Sequence, residues 1–290
     1  MADSMYIKAL RPKDLTEMYI TFLDAFSDYE VPFKLTKEQF VRKFVQKLKI
    51  DFSLSAGAYN YDGSLAGFIF TAVNYYEGQL TAYNGGTGVR PRYRGFKLST
   101  QMYDYLRPLF IDKNIKQCVL EVLTTNERAI RAYEGIGFKK TKYFKCYVLN
   151  VENPEFRNKA SESVEIMQVH SPNWTLYEQY CDYQPSFLDS SRMITDNLAN
   201  EIIIEAREDD QCIGFAIYQS NFGRISQIGI HPSYRRRGIG SQLIQYIHQS
   251  STIKKLTIIN VNDEATVTKA FFESLQFENQ LDQYEMILTL

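Results

Sequence analysis

Residues 88–94 read Gly-Val-Arg-Pro-Arg-Tyr-Arg, and residues 229–235 read Gly-Ile-His-Pro-Ser-Tyr-Arg, so one pattern occurs twice in the chain. The two copies lie 141 positions apart, and Thr100-Gln101-Met102 matches Ser241-Gln242-Leu243 at the same spacing. Two further matches follow at a spacing of 139 positions: Tyr133-Glu134 with Phe272-Glu273, and Gly137-Phe138 with Gln276-Phe277. A nearly constant spacing over separate segments indicates an internal repeat, and therefore two domains of one layout.

The length of the chain agrees with this repeat, because 290 residues suit two domains of about 150 residues that each bury a core. The stretch from Asn150 to Ser163 is polar, contains a proline and shows no apolar periodicity, which is typical of a linker. We therefore predict a first domain over residues 1–150, a linker over 151–163 and a second domain over 164–290.

The composition, with 44% hydrophobic and 23% charged residues, is that of an ordinary globular protein. A formal net charge of −1 provides no overall field that would attract nucleic acid or an anionic membrane. No apolar run approaches the roughly 20 residues that span a bilayer, and the N-terminus lacks the pattern of a signal peptide. We expect a cytoplasmic protein with neither nucleic-acid nor membrane partners; nothing in the composition decides its oligomeric state.

Cysteine and histidine are too scattered to form a site by themselves. The three histidines are isolated, and no two of the four cysteines form a C-x-x-C pair: Cys118, Cys146, Cys181 and Cys212. This spacing argues against a disulfide framework, a zinc site and a histidine-based catalytic triad. We expect free, buried thiols and no metal cofactor.

The apolar patterns of both halves predict helices and strands in the same order. In the first half these are helix Asp14–Tyr29, a helix after the capping box Thr36-x-x-Gln39, strands Phe52–Asn60, Leu65–Tyr75 and Leu80–Val89, helix Lys97–Lys113, strand Gln117–Leu123, helix Asn126–Ile136 and strand Lys142–Leu149. Helices and strands in this order favour an α+β fold, a sandwich-like arrangement in which helices flank a mixed, mostly antiparallel sheet.

The segment Arg235-Arg236-Arg237-Gly238-Ile239-Gly240-Ser241 follows the predicted strand Arg224–Ile230 and opens a helix. Backbone N–H groups at the start of a helix lack partners and point, with the helix dipole, at one place. Glycines let the backbone approach an anion closely, and arginines add positive charge. This segment therefore predicts a diphosphate site. A dinucleotide-binding fold would place its glycines after the first strand rather than the fourth.

In its context this segment resembles the acyl-CoA motif V-x-P-x-Y-R-x-x-G-x-G of the GCN5-related N-acetyltransferase (GNAT) superfamily. The first half resembles a second signature of that superfamily in Leu120-Glu121-Val122, Asn126, Ala129, Tyr133-Glu134 and Gly137-Phe138. The resemblance implies two tandem GNAT folds. It also implies an N-acetyltransferase in which an amine attacks the thioester of acetyl-CoA directly in a ternary complex, the acceptor being a small-molecule or peptide amine.

The resemblance also implies roles for individual residues. The position of Asn126 contacts the cofactor arm in this family, and the position of Tyr133 lies near the CoA sulfur as a general acid. We expect an oxyanion donor in the strand N–H around Val89, and we take Glu121 as the candidate base. The candidate cofactor-binding residues are Val89, Arg94, Gly95, Phe96, Lys97, Leu98, Ser99, Thr100 and Asn126 in the first half, and Ile230, Arg235, Arg236, Arg237, Gly238, Ile239, Gly240 and Ser241 in the second.

The two halves depart from the family pattern in complementary ways. Lys97 and Ser99 replace the glycines of the motif in the first half, whereas Phe272 and Ala265 stand at the Tyr and Asn positions of the second. We predict that the first half transfers the acetyl group. The second half either binds acyl-CoA without turnover or acts as a scaffold that shapes the acceptor cleft.

Other functions stay open at this point. The chain could be a catalytically degenerate module that binds acyl-CoA or a protein, although Tyr133 together with Asn126 speaks against this. A nucleic-acid binder that uses Arg235 to Arg237 is disfavoured by the neutral overall charge. An acidic-aromatic mouth on the acceptor side would favour a cationic amine; its candidates are Asp24, Asp28, Tyr29, Glu30 and Phe33.

Overall fold

A computed structural model describes residues 5–28, 35–151, 154 and 163–290. Its strands are β1 (Tyr6–Ala9), β2 (Ala56–Tyr59), β3 (Leu65–Tyr76), β4 (Gln79–Val89), β5 (Gln117–Leu123), β6 (Lys139–Leu149), β7 (Glu165–Val169), β8 (Ile202–Glu208), β9 (Gln211–Gln219), β10 (Arg224–Ile230), β11 (Leu256–Asn262) and β12 (Glu278–Thr289). Its α-helices are α1 (Leu15–Ala25), α2 (Lys37–Val41), α3 (Leu98–Asp112), α4 (Glu127–Ile136), α5 (Trp174–Tyr180), α6 (Ser191–Thr195), α7 (Ile239–Ser250) and α8 (Thr266–Ser274).

Local side-chain contacts explain where two predicted elements begin. The capping box is formed, because the Thr36 hydroxyl accepts from the Gln39 N–H at 3.2 Å and the Gln39 side chain accepts from the Thr36 N–H at 2.9 Å. The strand predicted from Phe52 begins only at Ala56. The Asp51 carboxylate accepts from the Ser53 N–H at 2.8 Å and thereby holds residues 52–54 in a helical turn.

The chain forms two compact units that exchange their final segments. The first unit comprises Met1–Thr141 with Glu285–Leu290, and the second comprises Lys142–Tyr284. Most of β6 therefore belongs to the second unit, whereas the end of β12 belongs to the first. These units divide the chain at residues other than the predicted boundaries at 150 and 164, because a sequence repeat does not show which sheet a strand joins. Most of the predicted linker lies outside the described residues.

The first unit contains a sheet of strand order β1-β2-β3-β4-β5 followed by the end of β12, from Glu285 onward. Strands β1 to β4 pair antiparallel, and β4 and β5 pair parallel. Rings from α1, from the segment that begins with α2 and from β3 pack together in a buried aromatic core, formed by Phe22, Phe40, Phe44, Phe68 and Phe70. The predicted mixed, mostly antiparallel sheet flanked by helices is confirmed.

A wedge opens in this sheet where β4 and β5 part. Their pairing covers only Thr81–Tyr83 against 117–119, although β4 continues to Val89. The side chain of Asn84 fills the point of divergence: its amide donates to the Tyr103 hydroxyl at 2.6 Å, and its carbonyl accepts from the Gly86 N–H at 3.0 Å. The apex of the wedge is thus held by a buried polar network.

The last six residues are an integral part of the first unit. Met286 and Leu288 are buried in it. The Glu285 carboxylate is fully buried and accepts from the Tyr76 hydroxyl at 2.7 Å and from the Thr141 hydroxyl at 2.9 Å. These contacts provide hydrogen-bond partners for a buried polar group, which without them would cost several kcal/mol.

The second unit repeats the layout with strand order β6-β11-β10-β9-β8-β7. Its strands pair antiparallel except for β10 and β11, which run parallel. The pairing of β10 and β11 covers only Arg224 and Ile225 against Thr257 and Ile258, so a second wedge opens at the matching place. Tyr147, from the exchanged strand β6, packs on Phe272 in this core.

None of the described helices is long and apolar enough to cross a bilayer. Within residues 5–28, 35–151 and 163–290, no group of three His, Cys, Asp or Glu side chains is arranged to hold a metal ion.

Candidate acyl-CoA site

In the first unit, the loop before α3 makes two left-handed steps, at Gly95 (φ 89°) and at Lys97 (φ 54°). The first helical hydrogen bond runs from the Gln101 N–H to the Lys97 carbonyl at 3.1 Å. The N–H groups of residues 95–100 have no acceptor among the described residues. They converge with the positive end of the α3 dipole, which makes this loop suited to an anion.

Lys97 does not disturb the loop, although the family motif has glycine at its position. The matching residue, Gly238, takes a similar left-handed conformation at φ 81° before α7. Lys97 adopts φ 54° and ψ 31°, so the backbone path is kept at a cost of about 1–2 kcal/mol. Lys97 therefore brings a positive side chain to the wall of the cleft described below.

Arg94 holds the loop in place. Its Nε donates to the Val89 carbonyl at 3.2 Å, and its Nη2 donates to the Ala25 carbonyl at 3.0 Å and to Asp28 Oδ1 at 2.7 Å. Hydrogen bonding to Arg94 lowers the pKa of Asp28 below its usual value. These bonds tie the loop to the end of β4, to the last residue of α1 and to Asp28. Arg94 also lies on the wall of the cleft described below, and its contact with the cofactor stays a prediction.

The N–H of Val89 points into the wedge. The next residue, Arg90, donates its N–H to the Ala66 carbonyl at 2.9 Å, towards β3. Successive peptide groups of a strand face opposite edges. The N–H and the carbonyl of Val89 therefore face away from β3. The hydrogen bond from Arg94 to the Val89 carbonyl agrees with this direction. This N–H is positioned to donate to a carbonyl oxygen between β4 and β5.

One cleft of about 810 Å³ brings most of the predicted site together. The predicted residues on its wall are Val89, Arg94, Gly95, Lys97, Leu98, Ser99, Thr100, Asn126 and Tyr133. Phe96 and Glu121 are not on the wall. Phe96 is 45% exposed, and the Glu121 carboxylate accepts a hydrogen bond from the Tyr83 hydroxyl.

Helix α4 supplies the opposite wall of the cleft. Asn126 caps this helix, since its side-chain oxygen accepts from the Ala129 N–H at 3.1 Å. Tyr133 lies two turns further on and is half-buried, with its ring 5.6 Å from that of Phe138. Sequence reasoning missed Arg128 and Arg131, which lie on the same wall. Their signal was present, because Arg128 lies within the Asn-x-x-Ala pattern and Arg131 follows it on the same helix.

The acidic mouth expected on the acceptor side is only partly described. Asp24 pairs with Arg90 at 2.8 Å, and Asp28 pairs with Arg94. The other three candidates, Tyr29, Glu30 and Phe33, lie outside the described residues. The two described carboxylates are therefore already matched by arginines and supply no surplus negative charge for a cationic amine.

The second unit has a matching but smaller cleft of about 570 Å³. Arg235 repeats the contacts of Arg94, with bonds to the Ile230 carbonyl at 3.1 Å, the Tyr180 carbonyl at 3.3 Å and Asp182 at 2.7 Å. The predicted residues on its wall are Ile230, Arg235, Arg236, Gly238, Ile239, Gly240 and Ser241. Arg237 is not on the wall and stacks on the ring of Tyr234 at 4.9 Å.

Comparison with known proteins agrees with this geometry in both halves. The sequence profile of the acetyltransferase (GNAT) family matches residues 16–138, and that of the acetyltransferase (GNAT) domain matches residues 199–279. This chain is a tandem GNAT protein. A comparison with the curated proteins found no match.

Solved structures show the same tandem fold over the whole chain. A GCN5-related N-acetyltransferase from Sphaerobacter thermophilus is 15% identical, with 100% of this chain and 96% of that chain covered and a TM-score of 0.75. A putative acetyltransferase from Pyrococcus horikoshii is 17% identical, with 100% and 91% covered and a TM-score of 0.70. A tandem GNAT protein from the clavulanic acid biosynthesis pathway is 12% identical, with 99% and 98% covered and a TM-score of 0.72. The predicted fold and family are confirmed.

In the chain described here, the Asn and Tyr of the family signature occur only in the first unit, as Asn126 and Tyr133. At the matching places of the second unit, Ala265 and Phe272 are buried at 5% and 0% exposure. The Phe272 ring packs on Tyr147 and Phe277 and carries no proton to donate. The second unit therefore lacks a general acid at this position.

Proposed function

We propose that this tandem GNAT protein is an acetyl-CoA-dependent N-acetyltransferase whose first unit transfers the acetyl group to a primary amine. The observation that carries the proposal is one cleft. It collects the N–H groups of residues 95–100, the inward N–H of Val89 and the side chain of Tyr133. GNAT family members use acetyl-CoA, and a diphosphate matches the N–H groups, Lys97 and the arginines of α4 in charge.

The side chains of the first unit suggest a division of labour. The bound thioester supplies the acetyl group. The Val89 N–H would stabilise negative charge on the carbonyl oxygen as the amine attacks. The Tyr133 hydroxyl would donate a proton to the departing sulfur. An attacking ammonium has an ordinary pKa of about 10 and must first lose a proton. Since Glu121 is not on the wall, a proton reaches its carboxylate only through water or Tyr83.

Direct attack by the amine, without an acyl-enzyme, fits the position of the thiols. None of the four cysteines is on the wall of either cleft. Burial raises the pKa of the Cys118 thiol to about 12 and that of the Cys181 thiol to about 12. A thiol with such a pKa supplies almost no thiolate at neutral pH. These side chains are therefore poor nucleophiles, and we propose a ternary complex.

The alternative is a catalytically degenerate module that binds acyl-CoA or a protein partner. Phe272 and Ala265 fit that reading for the second unit. The first unit retains a tyrosine hydroxyl and an asparagine amide in its cleft, and a module that only binds needs no proton donor there. Among acceptors we propose a small-molecule or peptide amine.

Calorimetric titration with acetyl-CoA tests the binding step. Lys97→Glu reverses the charge beside the N–H groups of residues 95–100, so we expect at least about tenfold weaker binding, since one charge-assisted contact contributes about 1.5–3 kcal/mol. The matched control is Arg92→Glu. Arg92 lies just before the same loop and stacks on Tyr93, but Arg92 itself is not on the cleft wall. Equal losses for both variants, or no binding by the unchanged chain, would contradict the proposal.

Turnover is tested by release of CoA thiol with a panel of primary amines. Tyr133→Phe should lower kcat about 10²–10⁴-fold, the usual contribution of a general acid, and leave acetyl-CoA affinity unchanged. An unchanged kcat would remove Tyr133 from the mechanism. Tight binding without turnover for any amine would favour the degenerate module.

A further inference from the structure

In the second unit, the ring of Phe271 occupies the space that a side chain on Gly240 would fill. A Cβ built on Gly240 would lie 2.8 Å from Cε2 of Phe271 and 2.9 Å from its Cζ. The matching pair in the first unit is Ser99 and Ala132, and both pairs are on the walls of their clefts. The glycine at the start of α7 therefore makes room for a phenyl ring, whereas the first unit has only a methyl group there.

The wall formed by α8 has also lost the positive charge of α4. Arg128 and Arg131 line the first cleft, and the residues at the same places in the second are Val267 and Ala270. Val267 is 55% exposed, so this wall presents an apolar surface to solvent. This wall adds no charge to compensate the phosphates of CoA, so phosphates in the second cleft would depend on the loop N–H groups and Arg236.

A hydrogen bond joins two walls of the second cleft. The Thr268 hydroxyl donates to Asp182 Oδ2 at 2.7 Å, and Arg235 pairs with the other oxygen of that carboxylate at 2.7 Å. Both Thr268 and Asp182 line the cleft. The residue that matches Thr268 in the first unit is Ala129, whose methyl group cannot form such a bond.

We propose that Phe271 and Thr268 close the second cleft to CoA, so that the chain binds one CoA molecule, in its first unit. The inference rests on the proposed function for the identity of the ligand. It replaces the expectation that the second unit binds acyl-CoA without turnover. It leaves that unit the role of a scaffold, although its loop keeps the backbone path of a phosphate site.

Two substitutions remove the ring and the hydrogen bond from the second cleft and leave Val267 and Ala270 in place. In the intact chain, Thr268→Ala combined with Phe271→Ala restores the matching Ala129 and Ala132. Calorimetry with CoA should then show two molecules bound per chain in place of one. Lys97→Glu should remove one of these sites, and Arg236→Glu should remove the other in the doubly substituted chain.

The reciprocal change tests the effect of the ring in the first unit and leaves the second unit unaltered. Misfolding of the second unit therefore cannot explain its result. Ser99→Gly combined with Ala132→Phe places the ring in the first cleft, at an α4 position that is exposed. We expect loss of CoA binding with a thermal midpoint close to that of the unchanged chain. Retained binding would overturn the role of the ring.

The stoichiometries separate this inference from the proposed function. Two CoA molecules on the unchanged chain, or one on both the unchanged and the doubly substituted chain, would overturn the closure of the second cleft. No CoA on the unchanged chain would contradict the proposed function. If one CoA then appeared on the doubly substituted chain, the closure would still be supported.

Discussion

The two phosphate-type loops reach the same backbone path with glycine at opposite steps. The first loop takes its left-handed steps at Gly95 and Lys97, and the second takes them at Arg236 and Gly238. Either arrangement leaves the N–H groups at the start of the helix without acceptors in the described parts of the chain. The glycines of the motif thus report on backbone geometry. Whether a loop can receive CoA depends on the facing helix, which carries arginines in α4 and a phenyl ring in α8.

Removal of residues 285–290 should produce the largest difference in stability between the two units. It deletes Met286 and Leu288 from the first core and removes the carboxylate that accepts from Tyr76. Each large apolar side chain lost from a core costs about 2–5 kcal/mol, so we expect the first unit to unfold. Hydrogen exchange should show loss of protection in Met1–Thr141 and retained protection in Lys142–Tyr284.

The exposed residue Thr289 provides the control, since Thr289→Ala should leave exchange unchanged. Equal loss of protection in both units of the shortened chain would show that the last six residues do not belong specifically to the first.

Substitution of the strained residue in each loop should have a smaller effect. Lys97→Gly and Arg236→Gly each replace a left-handed non-glycine residue. Each should raise the free energy of unfolding by about 0.5–1 kcal/mol after the entropy of glycine is deducted. Only Lys97→Gly should also weaken acetyl-CoA binding, because only the first loop is proposed to bind it. Denaturant unfolding and calorimetry measure the two effects separately, and weaker binding by Arg236→Gly would contradict the comparison.

The carboxylates that hold the two loops should give the smallest effect. The side chain of Asp28 is 57% exposed, so Asp28→Asn should cost less than about 1 kcal/mol at pH 7. Because Arg94 lowers the pKa of Asp28, its contribution is present above the unfolded pKa of about 3.9 and is lost as pH falls through the folded value. The difference between Asp28→Asn and the unchanged chain should therefore shrink as the pH falls below about 3.9.

Asp182 is the matched position in the second unit. It is 21% exposed and pairs with both Arg235 and Thr268, so Asp182→Asn should cost more than Asp28→Asn in denaturant unfolding at pH 7. A smaller cost would show that the bridge to Thr268 contributes nothing to stability.

The sequence predicted the layout of each half because periodicity and turn signals are local. It could not predict the exchange of β6 and β12, since a pattern of alternating residues does not encode which neighbour a strand pairs with. The same limit applies to Arg94. A cation that binds phosphate and one that ties down a loop look alike in sequence, and only the structure shows the bonds from Arg94 to Val89 and Ala25.

Two features of the candidate site illustrate the boundary of sequence reasoning. Glu121 follows a continuous buried run in β5, where no alternation shows which face its side chain takes. Phe271 could have been found from the alignment of the two halves. Ser99 aligns with the smaller Gly240, and Ala132 aligns with the larger Phe271, so one residue shrinks where the other grows. Such paired changes between repeats predict contact without a structure.

The exchange of final strands also sets an order on the ribosome. All residues of the second unit, Lys142–Tyr284, are synthesised before Glu285–Leu290. The first unit is therefore begun first and completed last, roughly 7 to 30 seconds after Thr141 is synthesised at about 5–20 residues per second. Until then β5 lacks its partner and exposes a strand edge, the kind of surface that recruits other chains. Nascent chains of this protein thus pass through an interval in which only the second unit can be whole.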